Sequence, residues 1–112
     1  MSILNWLQSL IPGRSAAMRH YRAGMIKAKK QDYAGAIEEY SASIRDPKIP
    51  IDVKAMALYN RGLAYSAIHD TVKADEDLLA VQKMPGLPER IKKAATQRRE
   101  RLRRRTTTPN TD

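Results

Sequence analysis

Residues Tyr59–Asp70 read YNRGLAYSAIHD. The apolar residues recur at helical spacing, yet Gly62 stands in the middle of the pattern. A glycine inside a helix costs about 1 kcal/mol relative to alanine, so a compensating contact is expected. Close approach of a neighbouring helix is the simplest one, because a missing side chain is what lets two backbones come together. The same arrangement occurs upstream. YRAGMIKAKKQDYAGAIEEYSASIRDP at 21–47 aligns without gaps on YNRGLAYSAIHDTVKADEDLLAVQKMP at 59–85. Tyr21 matches Tyr59, Gly24 matches Gly62, Asp32 matches Asp70, Ala36 matches Ala74, Tyr40 matches Leu78 and Pro47 matches Pro85. The offset is 38 residues throughout.

Working outward, apolar periodicity and stop signals predict a series of helices. The first is amphipathic and covers 2–11, with Ile3, Leu4, Trp6, Leu7, Leu10 and Ile11 on one side, and Pro12-Gly13 ends it. A second runs from Ser15 to Lys30, and a third from Tyr33 to Arg45 with Asp32 as N-cap. Pro47 and Pro50 mark a loop. Asp52 is expected to cap a fourth helix reaching His69, and Asp70 or Thr71 a fifth ending near Lys83. MPGLP breaks the chain before a sixth helix, 88–105, and the polar tail 106–112 is expected to be disordered. No stretch reads as a strand. Composition agrees: 42% of residues are hydrophobic but only 5% aromatic, with no phenylalanine. Such a composition suits closely packed helices better than sheets.

The paired hairpins resemble the tetratricopeptide repeat, a helical hairpin unit of 34 residues. Gly24 and Gly62 stand at its small first-helix position and Tyr65 at its first-helix aromatic. Ala36 and Ala74 match its alanine, Tyr40 and Leu78 its bulky apolar residue, and Pro47 and Pro85 its terminal proline. Departures are Lys27 in place of the aromatic, His20 and Leu58 in place of the tryptophan, Ser43 in place of a small apolar residue, and a loop at 48–51 that lengthens the period. The resemblance implies an all-α fold of antiparallel helical hairpins stacked as a short solenoid. Repeat one would span about 17–47 and repeat two about 55–85, with helix 88–105 as the polar cap that stacked repeats require. Ile91, Ala94, Ala95 and Leu102 offer that cap an apolar edge.

The resemblance also implies a ligand-binding concave surface on the first helix of each hairpin. Matching by position places Met18, Tyr21, Met25 and Lys29 there from repeat one, and Met56, Tyr59, Asn60 and Leu63 from repeat two. Two tyrosines and adaptable methionines suit an amphipathic helix or an apolar peptide. The competing expectation is that residues 2–11 cover this surface. Some members of the family clamp a partner's terminal carboxylate; Asn60 fits one clamp position, but Tyr21 and Met25 stand where its lysine and asparagine belong, so that mode is not expected.

Little points to catalysis. His20 and His69 are the only histidines and have no metal-ligand spacing. There is no phosphate loop or nucleophile elbow. The absence of cysteine excludes disulfides and thiolate chemistry. Glu38-Glu39 and Asp75-Glu76-Asp77 read as solvated helix faces. No enzyme activity, cofactor or metal is expected, and the absence of a secretory or membrane-spanning pattern points to the cytoplasm, with a membrane-peripheral location as the variant.

The net charge of +9 is uneven: 1–85 carry 12 basic against 9 acidic residues, 86–112 carry 9 against 3. Basic residues at a helix C-terminus complement its dipole, but this surplus exceeds that need. Arg98, Arg99, Arg101, Arg103, Arg104 and Arg105 therefore form a candidate patch for nucleic acid, an acidic protein or an anionic membrane. The expected partner is a protein or peptide in the groove. The alternatives are a polyanion on the basic helix, or homo-oligomers joined through residues 2–11.

Overall fold

The computed structural model describes residues 15–107, and these form five helices: α1 (Ala16–Lys29), α2 (Tyr33–Arg45), α3 (Ile51–Ala67), α4 (Thr71–Lys83) and α5 (Glu89–Thr107). No strand occurs among the described residues. The amphipathic segment with Ile3, Leu4, Trp6, Leu7, Leu10 and Ile11, and tail residues 108–112, lie outside them.

Local chemistry sets each boundary. Ser15 caps α1 by accepting from Met18 N–H. Asp32 accepts from Gly35 N–H at the start of α2, and Asp70 from Lys73 N–H at the start of α4. The Asp52 cap expected for α3 is not formed. That helix begins two residues earlier, after Pro50, whose carbonyl accepts from Lys54 N–H at 2.9 Å; Asp52 sits in the first turn. There its charge favours the positive end of the helix dipole. α3 ends at Ala67 rather than His69, because the chain turns left-handed at His69, with φ 66°. α5 extends two residues past Arg105.

The 38-residue offset holds at the level of single backbone bonds. Gln31 has φ 65° where His69 has φ 66°. Asp32 N–H donates to Lys27 O at 2.9 Å, and Asp70 N–H to Tyr65 O at 2.9 Å, the long closing bond of a left-handed helix stop. Asp46 N–H bonds Ser43 O at 3.2 Å, and Met84 N–H bonds Val81 O at 3.2 Å. The two hairpins, α1–α2 and α3–α4, are therefore built alike, and each helix packs on the next through α5.

Both glycines face a partner helix. A Cβ on Gly24 would lie 2.6 Å from the Tyr40 ring, and one on Gly62 would lie 3.2 Å from Leu78 Cγ and 3.3 Å from the Ala74 carbonyl oxygen. Gly62 thus faces Ala74 and Leu78, the small and bulky positions of the second hairpin. The main core joins Ala55 and Leu58 of α3, Leu78 and Val81 of α4, Leu87, and Ala95 of α5. The first hairpin has a smaller centre in Ala17, Ala36 and Tyr40. Ser43, polar where Val81 stands in the second hairpin, is fully buried and donates to Ala17 O at 2.7 Å, while Asp46 Oδ2 accepts from Ala17 N–H at 3.0 Å. These bonds fasten the start of α1 to the end of α2.

Candidate peptide groove

α4 packs against both α3 and α5, and the space between α3 and α5 is left open as two clefts. The first, ≈ 340 Å³, is mostly apolar and is walled by Met56 and Tyr59 from α3 and by Arg90, Ile91 and Ala94 from α5. The second, ≈ 270 Å³, has Leu63, Ala67, Leu78 and Leu102 in its walls, with Ser66 and His69 on one side and Arg98, Arg101 and Arg105 on the other. Tyr59 ties the two together: its hydroxyl accepts from Arg98 Nε at 3.3 Å. Leu63 also lines a further apolar hollow on the other side of α3, shared with Ala28, Tyr33, Tyr40 and Asn60.

The eight groove residues expected from the sequence therefore divide. Met56, Tyr59 and Leu63 come together around the clefts. Asn60 turns to Tyr21, donating from Nδ2 to the Tyr21 hydroxyl at 3.0 Å, and the Tyr21 ring packs on Tyr40 with centroids 6.0 Å apart. Burial pushes the Tyr21 hydroxyl pKa up, against the Asn60 hydrogen bond, and burial raises that of Tyr40 to about 12. These residues join the hairpins, with Tyr40 buried and Tyr21 and Asn60 half-buried. Met25 (46% exposed) and Lys29 lie on the outer part of α1, and Met18 is half-buried; none of the three belongs to a cleft described here. The α5 contribution was absent from the expected groove. Its signal is periodic: residues 91, 94, 98, 101 and 105 fall within about 80° of one another at 100° per residue.

The basic helix is not one patch. Arg99 points to α4, where Nε and Nη2 hold Asp75 at 2.7 and 3.3 Å and Nη1 reaches Gln82 Oε1 at 2.6 Å. Arg103 lines the α4 side, beside Asp75 and Glu76, and Arg104 pairs with Glu100 at 3.7 Å. Arg98, Arg101 and Arg105 face the clefts. Among the described residues none of these three has a carboxylate partner.

The expectation that the acidic runs are solvated also needs correction. Asp77 is 5% exposed and forms a two-pronged pair with Arg61, Nε–Oδ2 2.8 Å and Nη2–Oδ1 2.7 Å. Arg61 Nη1 donates to Ser41 Oγ at 3.0 Å, and its guanidinium lies 5.7 Å from the Tyr65 ring centroid. Hydrogen bonding to Asp77 raises the Arg61 pKa against the effect of burial. Glu39 meets His20 Nδ1 at 3.2 Å, leaving Glu38 and Glu76 exposed. Among the described residues no three His, Asp or Glu side chains gather as a metal cluster, and no helix is long and apolar enough to cross a membrane. Comparison with protein-family models, with curated proteins and with solved structures finds no match to this chain.

Proposed function

We propose that this chain is a non-catalytic interaction module of the tetratricopeptide type, an adaptor that binds a peptide or short helix in the groove between α3 and α5. The observation that carries the reading is the open apolar cleft of Met56, Tyr59, Ile91 and Ala94, placed between two helices that α4 holds from behind. Apolar surface left in a concave, pre-formed cleft with few polar groups is what an apolar side chain of a partner fills. The methionine adapts its shape to the occupant, and Arg90 at the edge supplies a polar rim. The duplicated hairpin supports the family assignment: the stacking glycines, the left-handed stops and the caps all recur at one offset.

The test keeps the fold and makes the cleft polar. Met56 and Ala94 are only partly buried, so Met56→Gln/Ala94→Gln is expected to retain the helical circular dichroism and thermal transition of the parent. Peptides selected on the parent chain are expected to bind the variant roughly tenfold or more weakly, since a central apolar anchor commonly carries over 1 kcal/mol. Equal affinity for parent and folded variant would remove the cleft as the binding surface.

A further inference from the structure

We infer that the groove takes an acidic amphipathic peptide, with its apolar side chains on Met56, Tyr59 and Ala94 and its carboxylates on Arg98, Arg101 and Arg105. This rests on the groove reading above and names the chemistry of its occupant. The chain carries several arginines whose charge is already met: Arg61 by Asp77, Arg99 by Asp75, and Arg104 by Glu100. The three that face the groove differ. Arg98 has the neutral Tyr59 hydroxyl as its partner, and among the described residues no carboxylate reaches Arg98, Arg101 or Arg105. They occur at i, i+3 and i+7, one row down one face of α5, about 10 Å long at 1.5 Å per residue.

Charge complementarity and setting together select the occupant. The row stands over an apolar floor of Leu63, Leu78 and Leu102, where an arginine–carboxylate attraction is less screened than in open water. The planar guanidinium matches a carboxylate with two parallel hydrogen bonds. The apolar cleft adjoins the same face at its Met56 end, so the groove is apolar at one end and cationic at the other. From Met56 to Ala67 the α3 wall runs about 17 Å, the length of an eleven-residue helix. A nucleic-acid strand fits this surface less well. α5 has no aromatic residue for base stacking, and Asp75 and Glu76 stand beside Arg103 on its other face, where they repel a passing phosphate backbone.

The experiment selects peptides from a random displayed library of twelve-residue sequences on the full chain. It then measures synthetic copies by fluorescence anisotropy against the parent and two variants of equal charge, Arg101→Gln/Arg105→Gln and Arg103→Gln/Arg104→Gln. The expected selection carries apolar residues followed or preceded by two or more Asp or Glu. The groove-facing pair is expected to weaken binding roughly tenfold, because each exposed ion pair contributes up to about fivefold, and the outward pair about twofold at most through net charge alone. Circular dichroism checks folding, and the single change Arg105→Gln, at an exposed position, serves as the milder variant. Selected peptides without acidic residues that lose affinity in Met56→Gln/Ala94→Gln but not in Arg101→Gln/Arg105→Gln would leave the groove standing and overturn the acidic partner. Selected peptides indifferent to both variants, or no selected peptide at all, would overturn both. A twelve-nucleotide single strand or phosphatidylserine vesicles binding more tightly than any selected peptide, through Arg101 and Arg105, would also overturn the acidic peptide.

Discussion

At the scale of single residues, the two glycines do one job under different constraint. At Gly24 an added methyl meets the ring of Tyr40, a residue only 2% exposed, at 2.6 Å. At Gly62 the nearest atoms, Leu78 Cγ and Ala74 O, are 3.2 and 3.3 Å away. Alanine gains about 1 kcal/mol of helix propensity over glycine, and overpacking costs about 1–3 kcal/mol. The rigid ring puts Gly24→Ala in the upper part of that range, for a net loss of about 1–2 kcal/mol in urea unfolding. Gly62→Ala needs only a few tenths of an ångström of adjustment, so the two effects nearly cancel and stability stays close to the parent's. Gly62→Leu, with a full side chain to place, returns to a loss of roughly 1–3 kcal/mol. Replacing the ring by the residue that the second hairpin uses, in Gly24→Ala/Tyr40→Leu, is expected to show a favourable coupling of about 1 kcal/mol relative to the sum of the single changes. A Gly24→Ala chain more stable than the parent would refute the close-approach account of that position.

At the scale of elements, the five helices of the described residues, their order and most of their caps were legible, because they depend on neighbours in sequence: helical periodicity, Asp32 and Asp70 before Tyr33 and Thr71, prolines in the connections. What was not legible depends on rotation about a helix axis. Asp75-Glu76-Asp77 looks like one acidic run, yet at 100° per residue its ends point about 200° apart. Asp75 reaches α5 and Asp77 reaches α3. A signal was available: Asp77 lies in the buried stripe Ala74, Asp77, Leu78, Val81. The same reasoning splits the arginines of α5, with Arg99 turned to α4 and the row 98, 101, 105 turned to the groove. Asp52 failed as a cap because Pro50 already starts the helix with a fixed φ suited to that boundary. The Arg61–Asp77 pair joins three elements, α2 through Ser41, α3 and α4. Breaking such a pair leaves an uncompensated buried charge, so Arg61→Met is expected to cost about 3–5 kcal/mol. Arg61→Met/Asp77→Leu, which removes both charges and fills the space, is expected to recover most of that loss. Chemical denaturation of the three proteins gives the comparison; a double variant no better than Arg61→Met would mean that the pair is not a charge-compensating unit.

At the scale of the whole molecule, burial is weighted toward the second hairpin and α5. The connected core runs from Ala55 and Leu58 through Leu78 and Val81 to Leu87 and Ala95, whereas the first hairpin closes on Ala17, Ala36, Tyr40 and buried Ser43. α3 is packed by α2 on one side and α4 on the other, but α1 meets α2 and only a short part of α3. On its outer surface Met25 and Ile26 are 46% and 57% exposed. In a stack whose units touch only their neighbours, local opening energies follow the number of covered faces. Amide hydrogens of α3 and α4 are therefore expected to exchange most slowly, near the rate set by global unfolding, and those of α1 to exchange faster through local opening. This order bears on the proposed function, because the groove is built on α3 and α5 and not on α1, so the surface proposed to take a peptide is expected to persist while α1 opens. Native-state hydrogen exchange resolved by fragment mass spectrometry measures the order directly. If α1 exchanges as slowly as α3, the first hairpin is not an independently opening unit, and the stack behaves as one cooperative block from Ala16 to the end of α5.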